Sequence, residues 1–136
     1  MAGRFRIFGA ELSPYSVKVR AYFRFKQIPH QWIIRSAAVQ EEFNRYAKLP
    51  IIPLVVTPSA EGLQDSTLVI ENLETHYPEN SIYPTDTTLN FVSTLLEEFG
   101  DEWGNKWMFH MRWAKEIDQL SSARRIAQLT LPDADE

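Results

Sequence analysis

Arg4-Phe5-Arg6-Ile7-Phe8 alternates polar and apolar side chains, the period of a half-buried β-strand. Gly9 to Leu12 reads as a loop. Ser13-Pro14 then reads as a helix N-cap followed by proline at the first helical position, where a missing N–H costs nothing. Val17, Ala21, Phe25 and Ile28 recur at helical spacing and predict a helix that buries this face and ends at Pro29. His30 to Arg35 predicts a second strand. Val39, Phe43 and Tyr46 or Ala47 predict a short amphipathic second helix. Leu54 to Thr57 is apolar, β-branched and bounded by Pro53 and Pro58, as in a short buried strand. Thr57 to Gly62 predicts a long hairpin turn into a fourth strand, with Gly62 supplying any positive φ. Leu68, Val69, Leu73 and Tyr77 then fall at helical spacing behind Asp65 or Ser66 as N-cap. The order is β-α-β-α-β-β-α, an α/β domain. Its first half crosses over through a helix, which favours parallel pairing, and its second half is a hairpin.

The pattern changes after Tyr77 to Pro84, a polar, proline-bearing connector that places a domain boundary at residue 84. From residue 85 the chain reads as the beginning of an all-α domain. Val92, Leu96, Phe99, Trp103, Trp107 and Ala114 predict one long or kinked helix to about Lys115. Gly100 and Gly104 each cost about 1 kcal/mol in helix propensity and mark either a kink or a close backbone contact. A second helical segment, Ile117 to Leu129, leads to Leu131-Pro132 and an acidic tail. Two helices carrying Trp103, Trp107 and Trp113 cannot bury that surface alone. They require the first domain, a second copy of the chain, or a longer protein of which this is a fragment, and the fragment is the expectation.

Composition narrows the function classes. The 136 residues are 44% hydrophobic and 24% charged, as in an ordinary soluble globular protein. A net charge of −4 argues against nucleic acid as the main partner, since a binding face usually brings a basic excess. There is no cysteine, which excludes disulfides, zinc–thiolate sites and a thiol nucleophile of the protein's own. His30, His76 and His110 are widely separated and lack metal-ligand spacing, so no metal is expected. The opening residues contain no long apolar core after their basic positions, and Leu49 to Val56 is too short to span a bilayer. No membrane partner and a cytoplasmic location are the expectations.

Candidate chemistry concentrates between Leu49 and Glu71. A cis bond at Ile52-Pro53 would turn the main chain of Ile52 outward, toward an extended peptide laid against the third strand. A few residues on, Asp65 and Ser66 stand at a helix N-terminus, where a hydroxyl and main-chain N–H groups can take a ligand carboxylate and an aspartate its ammonium. Peptide backbone on one side and an amino-acid head on the other suggest a small γ-linked peptide. The plainer alternative is a trans proline and an ordinary helix cap.

Taken together, Ser13-Pro14-Tyr15-Ser16 at the first helix, Ile52-Pro53 before the third strand and Asp65-Ser66 opening the third helix resemble the glutathione S-transferase superfamily. The likeness covers residues 1–84, its thioredoxin-like N-terminal domain. Residues 85–136 look like the start of its helical C-terminal domain, and the run Glu97 to Trp113 is similar to a bacterial subgroup. The resemblance implies that Pro53 is the cis-proline, that Ile52 pairs its main chain with the cysteinyl part of glutathione, and that Asp65 and Ser66 hold the γ-glutamyl end. It implies that Ser13 is the activating serine. Tyr15, in the first turn of the helix, is a further candidate to approach the sulfur, with packing as its alternative role. The resemblance further implies a homodimer and a detoxifying transferase that joins glutathione, its co-substrate, to a hydrophobic electrophile. Ile51 departs from the family pattern, where lysine or glutamine is frequent. A thiol–disulfide oxidoreductase would need a cysteine at position 13, and none is present. A non-catalytic binding or assembly module on the same fold is the alternative function, and a helix cap is the alternative role for Ser13.

Overall fold

The computed structural model describes residues 3–130. The chain divides into two compact units between Asn80 and Ser81, inside the polar connector.

In the first unit, β1 (Phe5–Gly9), α1 (Pro14–Phe25), β2 (His30–Ile34), α2 (Gln40–Tyr46, preceded by a 3-10 turn over Ala37–Val39), β3 (Leu54–Val56), β4 (Gly62–Gln64) and α3 (Ser66–His76) follow in that order. The four strands form one sheet in the order β2-β1-β3-β4. β1 and β2 are parallel, while β3 runs antiparallel to both β1 and β4. Strand alternation sorts the core onto the two faces. Ile7 and Val55 pack with Val19, Phe23, Val69 and Leu73 of α1 and α3. Phe8, Leu54 and Val56 pack instead with Phe43 of α2. Helices on both faces of a mixed sheet form a thioredoxin-like layer arrangement.

Two local expectations are corrected. The buried face of α1 is Ser16, Val19, Tyr22 and Phe23, whereas Val17, Ala21 and Phe25 face outward. The helix stops at Phe25, capped by Lys26, before Ile28 re-enters the core. The alternative stripe was apolar because Val17 and Phe25 are exposed apolar residues, which surfaces tolerate singly. Positive φ in the hairpin turn falls on Ala60, not Gly62. Gly62 is needed for space, because a Cβ there would collide with the main-chain carbonyl of Tyr46.

A buried polar knot ties the end of α1 to α3. Tyr22 Oη donates to Glu74 at 2.7 Å and Lys26 Nζ pairs with the same carboxylate at 2.9 Å. Lys26 also donates to the carbonyl of Glu79 at 2.6 Å.

The second unit contains α4 (Thr87–Phe99), a π-helical stretch (Gly100–Gly104), α5 (Asn105–Ala114) and α6 (Glu116–Thr130). The predicted single helix is thus continuous through a widened turn at the two glycines. A Cβ at Gly100 or Gly104 would meet nothing within 4 Å, so neither marks a close contact among the described residues. Extended backbone at Lys115 ends α5, and Gln119 donates to the freed Trp113 carbonyl at 2.7 Å. No buried hydrophobic residue lies beyond Leu73 among the described residues. Nor is any helix there long and apolar enough to cross a membrane. Leu131, Pro132 and the acidic tail lie outside the described residues.

Candidate functional site

Register brings the predicted site residues to one end of the sheet. Phe8 pairs with Leu54, and Leu54 pairs with Gln64. Adjacent strands lie about 4.8 Å apart, so these three positions form a row spanning about 10 Å. From this row β1 leads through a short loop to Ser13, β3 is entered from Ile52-Pro53, and β4 leads directly to Asp65-Ser66. Lys18 of α1 donates to Thr67 Oγ1 of α3 at 3.2 Å, which ties the starts of the two helices together.

Ser13 caps α1. Its Oγ accepts from the Ser16 N–H at 3.2 Å, and its own N–H donates to the Ala10 carbonyl at 3.0 Å. Capping uses an acceptor lone pair and leaves the hydroxyl proton to be donated elsewhere. The two sequence readings of Ser13 are therefore compatible. Tyr15 is half-buried in the first turn.

The Ile52–Pro53 peptide is cis. Pro53 is buried and Ile52 half-buried, and Ile52 lies just outside the paired positions Leu54–Val56. Ile51 is 49% exposed.

Asp65 is the N-cap of α3, and its Oδ1 accepts from the N–H groups of Thr67 at 3.0 Å and Leu68 at 3.2 Å. Its backbone has φ 75° and ψ 120°, a region that L-residues seldom occupy and that is held at functional turns at a cost of about 1–3 kcal/mol. Asp65 is exposed, while Ser66 beside it is buried. The carboxylate oxygen Oδ2 takes no part in the cap.

One contributor escaped the sequence reading. Gln64 Oε1 accepts from the N–H groups of Lys48 and Leu49 at 2.8 and 3.0 Å. Its Nε2 donates to the carbonyls of Leu49 and Ile51 at 2.8 and 2.9 Å. All four hydrogen bonds of one amide thus hold the loop that delivers Ile52. The only sequence signal was a glutamine at the end of a strand, directly ahead of the cap. A cleft of about 500 Å³ opens beside this loop, lined among others by Lys48, Ile51, Asp65 and Leu68. It touches the row at Gln64 and continues to Asp65 beside it, and Ser13 does not line it.

A second cluster flanks Ser13. Arg20 donates from Nη1 and Nη2 to the two carboxylate oxygens of Glu11 at 2.5 and 2.7 Å. Its guanidinium lies over the Trp32 ring, 4.2 Å from the centroid. The hydrogen bonds from Arg20 hold the Glu11 carboxyl below the usual carboxylate range, and Glu11 raises Arg20 in turn. Among the described residues no three His, Asp or Glu side chains gather as metal ligands.

Residues 7–81 match the family model described as glutathione S-transferase, N-terminal domain. Pyrimidodiazepine synthase of Drosophila melanogaster is 28% identical over 100 residues, covering 71% of this chain and 41% of that protein. A glutathione S-transferase from Methylobacterium radiotolerans, solved in complex with glutathione sulfonate, aligns at 24% identity with a TM-score of 0.65, over 72% of this chain and 47% of its own. A second, from Methylobacillus flagellatus with GSH bound, aligns at 26% identity with a TM-score of 0.62, over 71% and 48%. The chain spans less than half the length of these three relatives.

Proposed function

This chain belongs to the glutathione S-transferase family, and we propose that its first unit binds glutathione across Ser13, Ile52, Asp65 and Ser66 and ionises the tripeptide's thiol. The thiol proton passes to water, and the thiolate then attacks a hydrophobic electrophile. Its lone pair forms the new carbon–sulfur bond while the electrophile's leaving group departs with its bonding pair or, in an addition, its π pair shifts away and takes up a proton. The observation that carries this reading is the Phe8–Leu54–Gln64 row, around which a helix tip, a strand entrance outside the ladder pairs and a capped aspartate lie at one sheet end. The main chain of Ile52 faces the cysteinyl part of the ligand, and Tyr15 borders it. Asp65 offers Oδ2 to the γ-glutamyl ammonium. The hydroxyl and N–H of Ser66 take the carboxylate at a helix end suited to anions. The same family context supports a homodimer, with the exposed Leu68 of α3 on the shared face.

The energetics close without a charged base. Lowering a thiol from about 8.5 to about 6.5 requires roughly 2.7 kcal/mol of differential stabilisation. A hydroxyl donating to a sulfur anion supplies about 1.5–3 kcal/mol, and the positive end of α1 about 0.3–1 kcal/mol.

Ser13→Ala tests the central role. The fold is expected to lose about 1 kcal/mol, a usual cap loss, while the bound thiol stays protonated at neutral pH. Ultraviolet absorbance of the thiolate reads the difference. Equal ionisation in the variant would reduce Ser13 to a cap. The exposed, apolar Ile51 beside the binding row favours a second reading, a binding module without catalysis. Calorimetry separates the two, since no heat at millimolar glutathione leaves only the module.

A further inference from the structure

We propose that Arg20 is a positioning residue for the thiol site: it neutralises Glu11 beside the tip of α1 and so keeps the bound sulfur free to ionise. This role rests on the thiol chemistry proposed above.

Glu11 stands in the β1–α1 loop two residues before Ser13, so the two Cα atoms lie within about 7 Å. A carboxylate there is adverse to the reaction, because a nearby anion favours the protonated form of a thiol. The structure answers it with a two-pronged contact. Both guanidinium prongs of Arg20 reach both oxygens of Glu11, an arrangement that fixes orientation as well as charge.

Arg20 is itself held. Its side chain is 14% exposed and its guanidinium carbon lies over the ring of Trp32 of β2. Trp32 in turn fills the space over Gly9, where a Cβ would strike the indole and approach Ser16 Cβ to 2.8 Å. The indole N–H is buried near the Glu11 carboxylate without reaching hydrogen-bond geometry. Arg24, one turn along α1, is the other charge acting on Glu11.

Burial of Glu11 does not call for this construction: its side chain is 52% exposed and would be well solvated alone. What the pair changes is the charge close to Ser13: without Arg20 the Glu11 anion is countered only by the weaker pull of Arg24, and with Arg20 it is closely neutralised.

Electrostatic and merely structural roles predict different signs. The test uses the full chain saturated with glutathione, following thiolate absorbance against pH in Arg20→Gln, Glu11→Gln and the double variant. Arg20→Gln is expected to raise the apparent thiol pKa by about half a unit, about a threefold fall in the thiolate-to-thiol ratio and about a twofold loss of thiolate near the midpoint. Glu11→Gln is expected to lower it, and the double variant to return to the wild-type value. If both single variants shift the same way, or neither shifts, the pair only shapes the loop and the proposal falls. Glu11→Gln leaves Arg20 on Trp32 and carries the sign test even if Arg20→Gln does not fold. Calorimetry on the wild type separates the two levels. A chain that binds no glutathione, or binds it with the thiol protonated throughout, overturns the thiol reading and this role with it.

Discussion

Asp65 meets two demands at one position. Its Oδ1 caps α3 through two N–H groups while its backbone sits at φ 75°, where aspartate and asparagine are better tolerated than most residues. Asn keeps the acceptor and the tolerance but discards the charge. Asp65→Asn is therefore expected to unfold within about 0.5 kcal/mol of the wild type. It should weaken glutathione about tenfold or more, through loss of a charge-assisted bond of about 1.5–3 kcal/mol. Calorimetry and a urea titration read both numbers, and unchanged affinity would remove Asp65 from the ligand. Glu11 gives a pH test. Its folded pKa lies below its unfolded one, so the stability it contributes is complete above the ordinary carboxylate value and is lost as pH falls through the folded value. Glu11→Gln should flatten that acid limb slightly in urea midpoints, the effect being small because the Glu11 carboxylate is half-exposed and screened by solvent. At this scale the caps Ser13 and Asp65 were legible because caps have local chemistry, although sequence alone left Asp65 and Ser66 as alternatives. Arg20 over Glu11 was not, since a charge on a helix reads alike whether it faces water or a loop.

Elements explain why the row at the sheet end stays in place. The loop before β3 has no regular structure at Lys48–Ile51, and the Gln64 amide replaces a strand partner for it. Gln64→Glu exchanges a double donor for an anion facing two carbonyls. The expected cost is about 1–3 kcal/mol in urea unfolding, together with weaker glutathione binding as Ile52 loosens. A variant of wild-type stability would show that the amide is incidental. The element order and the parallel-then-hairpin pairing were readable from period and punctuation. The buried face of α1 was not, because spacings of three and four fit two adjacent stripes and only packing against β1 selects Val19 and Phe23. Gly62 was misassigned for a related reason. Sequence shows that glycine is present but not whether it serves dihedral freedom or space.

At the scale of the molecule, the two units differ in how they are held. The first buries two apolar layers around its sheet. The second leaves Leu89, Phe91, Leu96, Trp103, Trp107 and Ile117 exposed, a surface far larger than isolated apolar residues make. Heating the chain is expected to give one cooperative transition from the first unit, superposed on a gradual loss of helix signal from the second. A single sharp transition by circular dichroism, with all tryptophan emission changing together, would show that the second unit is stabilised as strongly as the first. Three tryptophans on two helices already signalled uncovered surface. The sequence predicted a long helix through both glycines but not the widened turn by which it passes them.

The hairpin turn Thr57–Glu61 lies across β3 and β4 from the Phe8–Leu54–Gln64 row, about 10 Å away along the strands. Since the chain contains no cysteine, Ser59→Cys would introduce its sole thiol at that far rim. A fluorophore or a solid support can be attached there, which offers a handle for measuring glutathione uptake on an immobilised chain without touching the pocket.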